Sequence, residues 1–125
     1  MDTETLLFFE KNPSALPLYE IFEARIYDLF PAAKKKVQKT QISFSNRHIF
    51  VCVSFARVKK KAELPGPYFV ITIGLPCPLD SDRAAVKTEP YPGRWTNHIV
   101  IGNADEIDDE LFTWINQAYV FAEIK

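Results

Sequence analysis

The 125-residue chain has only two cysteines, almost no net charge and no long apolar run, and each shortage excludes something. Cys52 and Cys77 form neither a CxxC pair nor a zinc pattern, and they read as a buried small hydrophobe and a loop thiol. A formal net charge of -1 argues against nucleic-acid binding through bulk electrostatics, so nucleic acid is not an expected partner. No segment approaches transmembrane length, and MDTETLLFFEKN has no basic region of the kind that opens a signal peptide. A cytoplasmic location without membrane attachment is expected. HExxH, GxSxG and phosphate-loop patterns are missing too, so no metal or cofactor is expected and no catalytic residue is assigned.

What is present is ordinary for a globular protein: 47% hydrophobic and 25% charged residues. The length predicts a single domain over 1–125, with an N-terminal arm at 1–12 and an α+β core at 13–125.

The stretch KTQISFSNRHIFVCVSFARV, residues 39–58, predicts a β-hairpin. Thr40, Ile42 and Phe44 alternate with polar neighbours, Ser45-Asn46-Arg47 supplies the turn, and Ile49, Val51, Val53 and Phe55 resume the alternation. This phase leaves Phe50 alone on the polar face. Residues 68–75, YFVITIGL, predict a strand paired to the second hairpin strand, and residues 98–102 predict the last strand. Between them residues 77–97 read as a long irregular stretch holding Pro78, Pro90, Pro92 and Gly93, with 83–88 as a short edge strand at most. Connections that long are often functional.

Leu18, Phe22, Ile26 and Leu29 at helical spacing predict an amphipathic helix over 15–30, capped by Ser14 and ended by Pro31. Residues 32–38, with Lys34, Lys35 and Lys36, read as one further helical turn. Ile107, Leu111, Trp114, Ile115, Ala118, Phe121 and Ala122 predict a closing helix over 105–124, with Asp105 as N-cap. The expected architecture is α+β: an antiparallel sheet of four or five strands with the N- and C-terminal helices packed on one face.

From KTQISFSNRHIFVCVSF through GRWTNHIVI to EIDDELFTWINQAY, the chain resembles a bacterial family known as domain of unknown function 5655. Its order of elements is also similar to the small YdhG-like domains, in which a helix leads into a strand hairpin. The family resemblance implies the same fold and no established activity. It draws attention to Lys39, Gln41, Phe50, Arg94, His98, Asp108 and Tyr119, of which Phe50 and Tyr119 also suit packing.

Two constellations could carry chemistry. Antiparallel pairing would gather Lys34, Lys35, Lys36 and Lys39 beside Arg57, Lys59, Lys60 and Lys61, either as an anion patch or as solvated lysine facing the acidic residues 106–110. At the opposite end, Arg47 and His48 at the hairpin tip would meet Tyr91, Arg94, Trp95 and His98. Arginines suit bidentate contact with carboxylate or phosphate, and the aromatics supply a wall. The expected function is a binding module for an anionic small molecule or a macromolecular partner at that end, with Lys39 and Gln41 added as ligand-binding candidates. The alternatives are an enzyme using His98 as acid-base with an arginine clamp, and a weak nucleic-acid binder through the lysines. A His48–Cys52 dyad is excluded, since four residues of extended strand separate the two by about 13 Å.

Overall fold

The computed structural model describes residues 2–60 and 63–125, so Lys61 and Ala62 of the second basic run lie outside the described residues. The predicted hairpin is present as β2 (Gln41–Ser45) and β3 (Ile49–Ser54). It sits inside a six-stranded antiparallel sheet whose other strands are β1 (Lys34–Val37), β4 (Phe69–Leu75), β5 (Ala84–Tyr91) and β6 (Arg94–Ile101). The order across the sheet is β1-β2-β3-β4-β6-β5. Three helices complete the α+β fold: α1 (Thr3–Phe8), α2 (Leu16–Leu29) and α3 (Asp109–Ile124).

Six strands replace the four or five expected, for two physical reasons. Residues 34–37 form an edge strand rather than a helical turn. Lysine repeats carry no period, and pairing to β2 decides their conformation. Residues 84–101 form a hairpin rather than an irregular stretch. Pro90 is tolerated because β5 is an edge strand, and the turn at Tyr91-Pro92-Gly93-Arg94 places Gly93 at φ 73°, which suits glycine.

One face of the sheet is the core. Ile42, Phe44, Val53, Ile71, Ile73 and Ile99 point toward α2 and α3, where Phe22, Ile26, Leu111, Ile115 and Ala118 meet them. Phe22 is central, its ring edge-on to Phe44 and Phe69 and 5.7 Å from Phe112. Trp114, expected in this layer, is only half-buried, with the Arg83 guanidinium 5.5 Å from its ring centre.

A β-bulge alters the predicted hairpin phase. Phe44 pairs with Val51 but Ser45 pairs with Ile49, leaving Phe50 unpartnered on β2. The extra residue turns Phe50 inward, 1% exposed, and Ile49 outward, 47% exposed. Phe50 packs edge-on against Phe30 and Tyr119, so Phe50 is a core residue and Tyr119 a half-buried one packed against the core.

The caps also differ from expectation. Ser14 lies inside a 3-10 turn (Pro13–Ala15) that runs directly into α2, so it cannot adopt the extended backbone of a cap. Leu29 is exposed and Phe30, where the chain leaves the helix, is buried in its place. Asp105 falls in a second 3-10 turn (Ala104–Glu106) capped by Asn103, while Asp108 caps α3 by accepting from the Leu111 N–H at 2.9 Å.

Ion pairs tie the layers together. Arg83, before β5, reaches Asp108 and Glu110 at 2.9 Å each and donates to the Glu106 carbonyl. Burial alone would raise the Asp108 carboxyl, but the Leu111 N–H and Arg83 outweigh it and hold the group below its ordinary value. Lys35 of β1 bonds Glu23 of α2 at 2.8 Å, Asp2 at 2.9 Å and the Thr5 hydroxyl, fastening α1 to the body.

Candidate functional site: the open sheet face

The face of the sheet away from α2 and α3 is built by the other half of each strand's alternation. Register places Ser43, Cys52, Thr72 and His98 in one transverse row across β2, β3, β4 and β6. Gln41 and Ser54 pair in the adjacent row on the same face. At that edge Lys39 and Thr40 of the β1–β2 turn, with Phe8, Lys11 and Asn12 from α1 and the residues after it, rise beside the sheet. With Gln41, Cys52, Ser54, Thr72, His98 and Phe55 they line an open groove of about 570 Å³. The Phe8 and Phe55 rings stack on each other with centroids 5.6 Å apart, so this aromatic pair forms one part of the lining.

Among the described residues the lining contains two lysines and His98 but no carboxylate. His98 Nδ1 and the Thr72 hydroxyl oxygen share a hydrogen bond of 2.8 Å, which orients the ring within the groove lining. Partial burial lowers the His98 pKa, favouring the neutral imidazole. Burial pushes the Cys52 thiol up to about 11, so the sulfur beside Thr72 is held as the thiol. Among the described residues no carboxylate orients His98, which separates this arrangement from an activated acid-base pair.

The eight candidate ligand residues divide between this groove and the far end of the sheet. Lys39, Gln41 and His98 line the groove together. Arg47, His48, Tyr91, Arg94 and Trp95 lie at the end where β4 stops and β6 begins, as the antiparallel order predicts. His98 does not join them, because it stands opposite Thr72 in mid-sheet, three pairs along β4 from Leu75, the partner of Trp95. The hairpin tip is committed elsewhere: His48 Nδ1 donates to the Ala122 carbonyl at 2.8 Å and Asn46 donates to the Tyr119 carbonyl at 2.9 Å. Both bonds satisfy the C-terminal end of α3. Arg47 and Tyr91 are exposed, and Arg94 lies over the Phe121 ring at 5.8 Å.

Lys34, Lys35 and Lys36 do not gather at one end of the sheet, and Lys61 of the second run lies outside the described residues. As a strand, residues 34–37 spread their side chains along β2, with Lys34 opposite Ser45 and Lys36 opposite Ser43. Lys35 turns inward to Glu23. The acidic turn expected to face them instead engages Arg83 and Arg25. Asp108, a family-like position, therefore serves as a helix cap and ion-pair partner.

Sequence reasoning missed Phe8, Lys11, Asn12, Phe55 and Thr72. The period-two pattern could have found Thr72, since its phase in β4 sets it apart from Phe69, Ile71 and Ile73. Nothing in the arm's sequence places it against the sheet face.

The profile of the family described as Domain of unknown function (DUF5655) matches residues 7–122. No curated protein and no solved structure matches the chain. No helix among the described residues is long and apolar enough to cross a membrane.

Proposed function

The chain belongs to the family described as Domain of unknown function (DUF5655), and since that description carries no activity, we propose a function from the groove itself: a binding module for a small anionic molecule. One observation carries this reading. A groove of ligand size holds Lys11, Lys39 and His98 with no acidic residue among its described lining, and beside them Gln41, Asn12 and Thr72 offer hydrogen bonds. Carboxylate or phosphate oxygens suit such a set, and the Phe8–Phe55 pair gives an apolar part of the anion a surface to rest on.

Binding is favoured over acid-base catalysis because His98 is partnered by a hydroxyl and Cys52 is held as a thiol. A small ligand is favoured over nucleic acid because the lysines are dispersed and the net charge is -1.

The experiment is a binding series with inorganic phosphate and benzoate, followed through backbone amide shifts of the parent, Lys39→Ala and Lys11→Ala. Localised shifts at residues 39–41, 54–55 and 98, weakened in both variants, support the reading. Shifts scattered over all exposed lysines, or unaltered in the variants, overturn it.

A further inference from the structure

A second surface on the molecule is built for a different kind of ligand. α3 and the residues following β4 enclose an open trough of about 390 Å³. Leu75, Pro76 and Cys77 form one wall, and Val120, Phe121 and Ile124 the other. Val120 and Ile124 are 52% and 75% exposed, although both lie on the helix that supplies much of the core. Among the described lining residues, amide side chains enter from Asn116 and Gln117, at the opposite end from Ile124. From 116 to 124 the helix advances about 12 Å at 1.5 Å per residue, which sets the length of the apolar floor.

Two cations stand beside Phe121 of the trough wall. Lys125 Nζ is 5.4 Å and the Arg94 guanidinium 5.8 Å from the centre of the Phe121 ring. Neither forms an ion pair among the described residues, and Lys125 also lies over Gly74, 3.8 Å from where a Cβ would stand. Burial and then the nearby Arg94 charge both lower the Lys125 pKa, as expected for adjacent cations lacking a counter-ion. The end of a helix disfavours an anion through its dipole. Here the Asn46 and His48 donors already occupy carbonyls of the last turns, which offsets part of that negative end.

We propose that the trough binds an alkyl carboxylate of medium chain length, with its tail along Val120 and its carboxylate between Arg94 and Lys125. The charge pattern and the scarcity of polar groups choose this occupant. An extended peptide would bring backbone amides that Asn116 and Gln117 alone cannot satisfy. A second copy on the same patch would leave both cations of each chain without a counter-ion unless it brought a carboxylate to them, and among the described residues the trough lining supplies none. An alkyl chain needs no polar partner along its length, and its single carboxylate relieves the repulsion between the two cations.

Cys77 supplies the readout, because it is exposed in the trough wall while the Cys52 thiol is raised by burial. The experiment measures alkylation of Cys77 by iodoacetamide, a neutral reagent, with decanoate, decyl maltoside or acetate present, the two amphiphiles below micelle-forming concentrations. Decanoate at about ten times its dissociation constant should slow alkylation about tenfold, as mass action requires of a ligand covering the thiol. Acetate should give no protection and decyl maltoside much less. The Arg94→Gln/Lys125→Gln double variant, changed only at surface side chains, should weaken decanoate by about tenfold or more. Val120→Asp, also at an exposed position, should remove protection altogether. Equal protection by decyl maltoside, or an unchanged decanoate affinity in the double variant, overturns the proposal. So does a Cys77 whose reactivity falls with protein concentration alone, which would assign the trough to self-association.

Discussion

His48 Nδ1 lies 2.8 Å from the carbonyl oxygen of Ala122, so the tip of the β2–β3 hairpin closes the C-terminal end of α3. A carbonyl only accepts, and the bond therefore places the imidazole proton on Nδ1. With Asn46 donating to Tyr119, two residues of one turn tie the last turns of α3 to the sheet.

Removing these donors should loosen the end of the helix without disturbing the groove. His48→Ala is expected to cost about 0.5–1.5 kcal/mol, the usual net value of such a bond. Amide exchange at residues 120–125 should accelerate while residues 98 and 72 remain as protected as in the parent. Uniform acceleration would show that the tip matters to the whole fold instead.

Leu111 is fully buried between α3 and the sheet, and Leu111→Ala should cost about 2–5 kcal/mol in a denaturant titration. A variant as stable as the parent would mean that α3 does not pack on this face.

Lys35 and Glu23 each expose only 10% of their side chains. Lys35→Met leaves a buried carboxylate without a partner and should cost about 3–5 kcal/mol. The double variant Lys35→Met/Glu23→Leu should recover much of that loss, because the uncompensated charge is gone. Equal destabilisation in both would point to the contacts with Asp2 and Thr5 as the dominant ones.

The Asp108 carboxyl is held below its ordinary value by the Leu111 N–H and Arg83, which outweigh burial. A depressed folded value contributes stability that is fully present above the unfolded value of about 3.9 and is lost as pH falls through the folded one. Asp108→Asn should therefore flatten the acid limb of stability below about pH 4 and lower stability at neutral pH. An acid limb identical to the parent's would place the effect in other carboxylates.

Strong periodicity made the centre of the fold readable. Ile42, Val53, Ile71 and Leu111 all lie where alternation or helical spacing put them. The edges were not readable, because pairing rather than local pattern decides them. Lys34 to Val37 becomes a strand only through β2, and Pro90 is compatible with β5 only because no further strand follows it. The bulge at Phe50 changes two side chains' faces through one unpaired residue, which no period reports. For the sites, topology correctly brought Arg47, His48, Arg94 and Trp95 to one end. The exact bonds of His48, and the placement of the arm beside Lys39, depend on tertiary packing that sequence spacing does not encode.

The most direct measurement is an NMR titration of the His98 ring in the presence and absence of inorganic phosphate and benzoate. In the free protein, partial burial should place its pKa below the ordinary histidine value of about 6.5. An anion bound in the groove favours the imidazolium, so the His98 value should rise on adding ligand, with about one unit for each tenfold preference for the charged ring. The rise should shrink in Lys39→Ala. A His98 value unmoved by either anion, or a rise undiminished in Lys39→Ala, would contradict an anion site on the open face of the sheet.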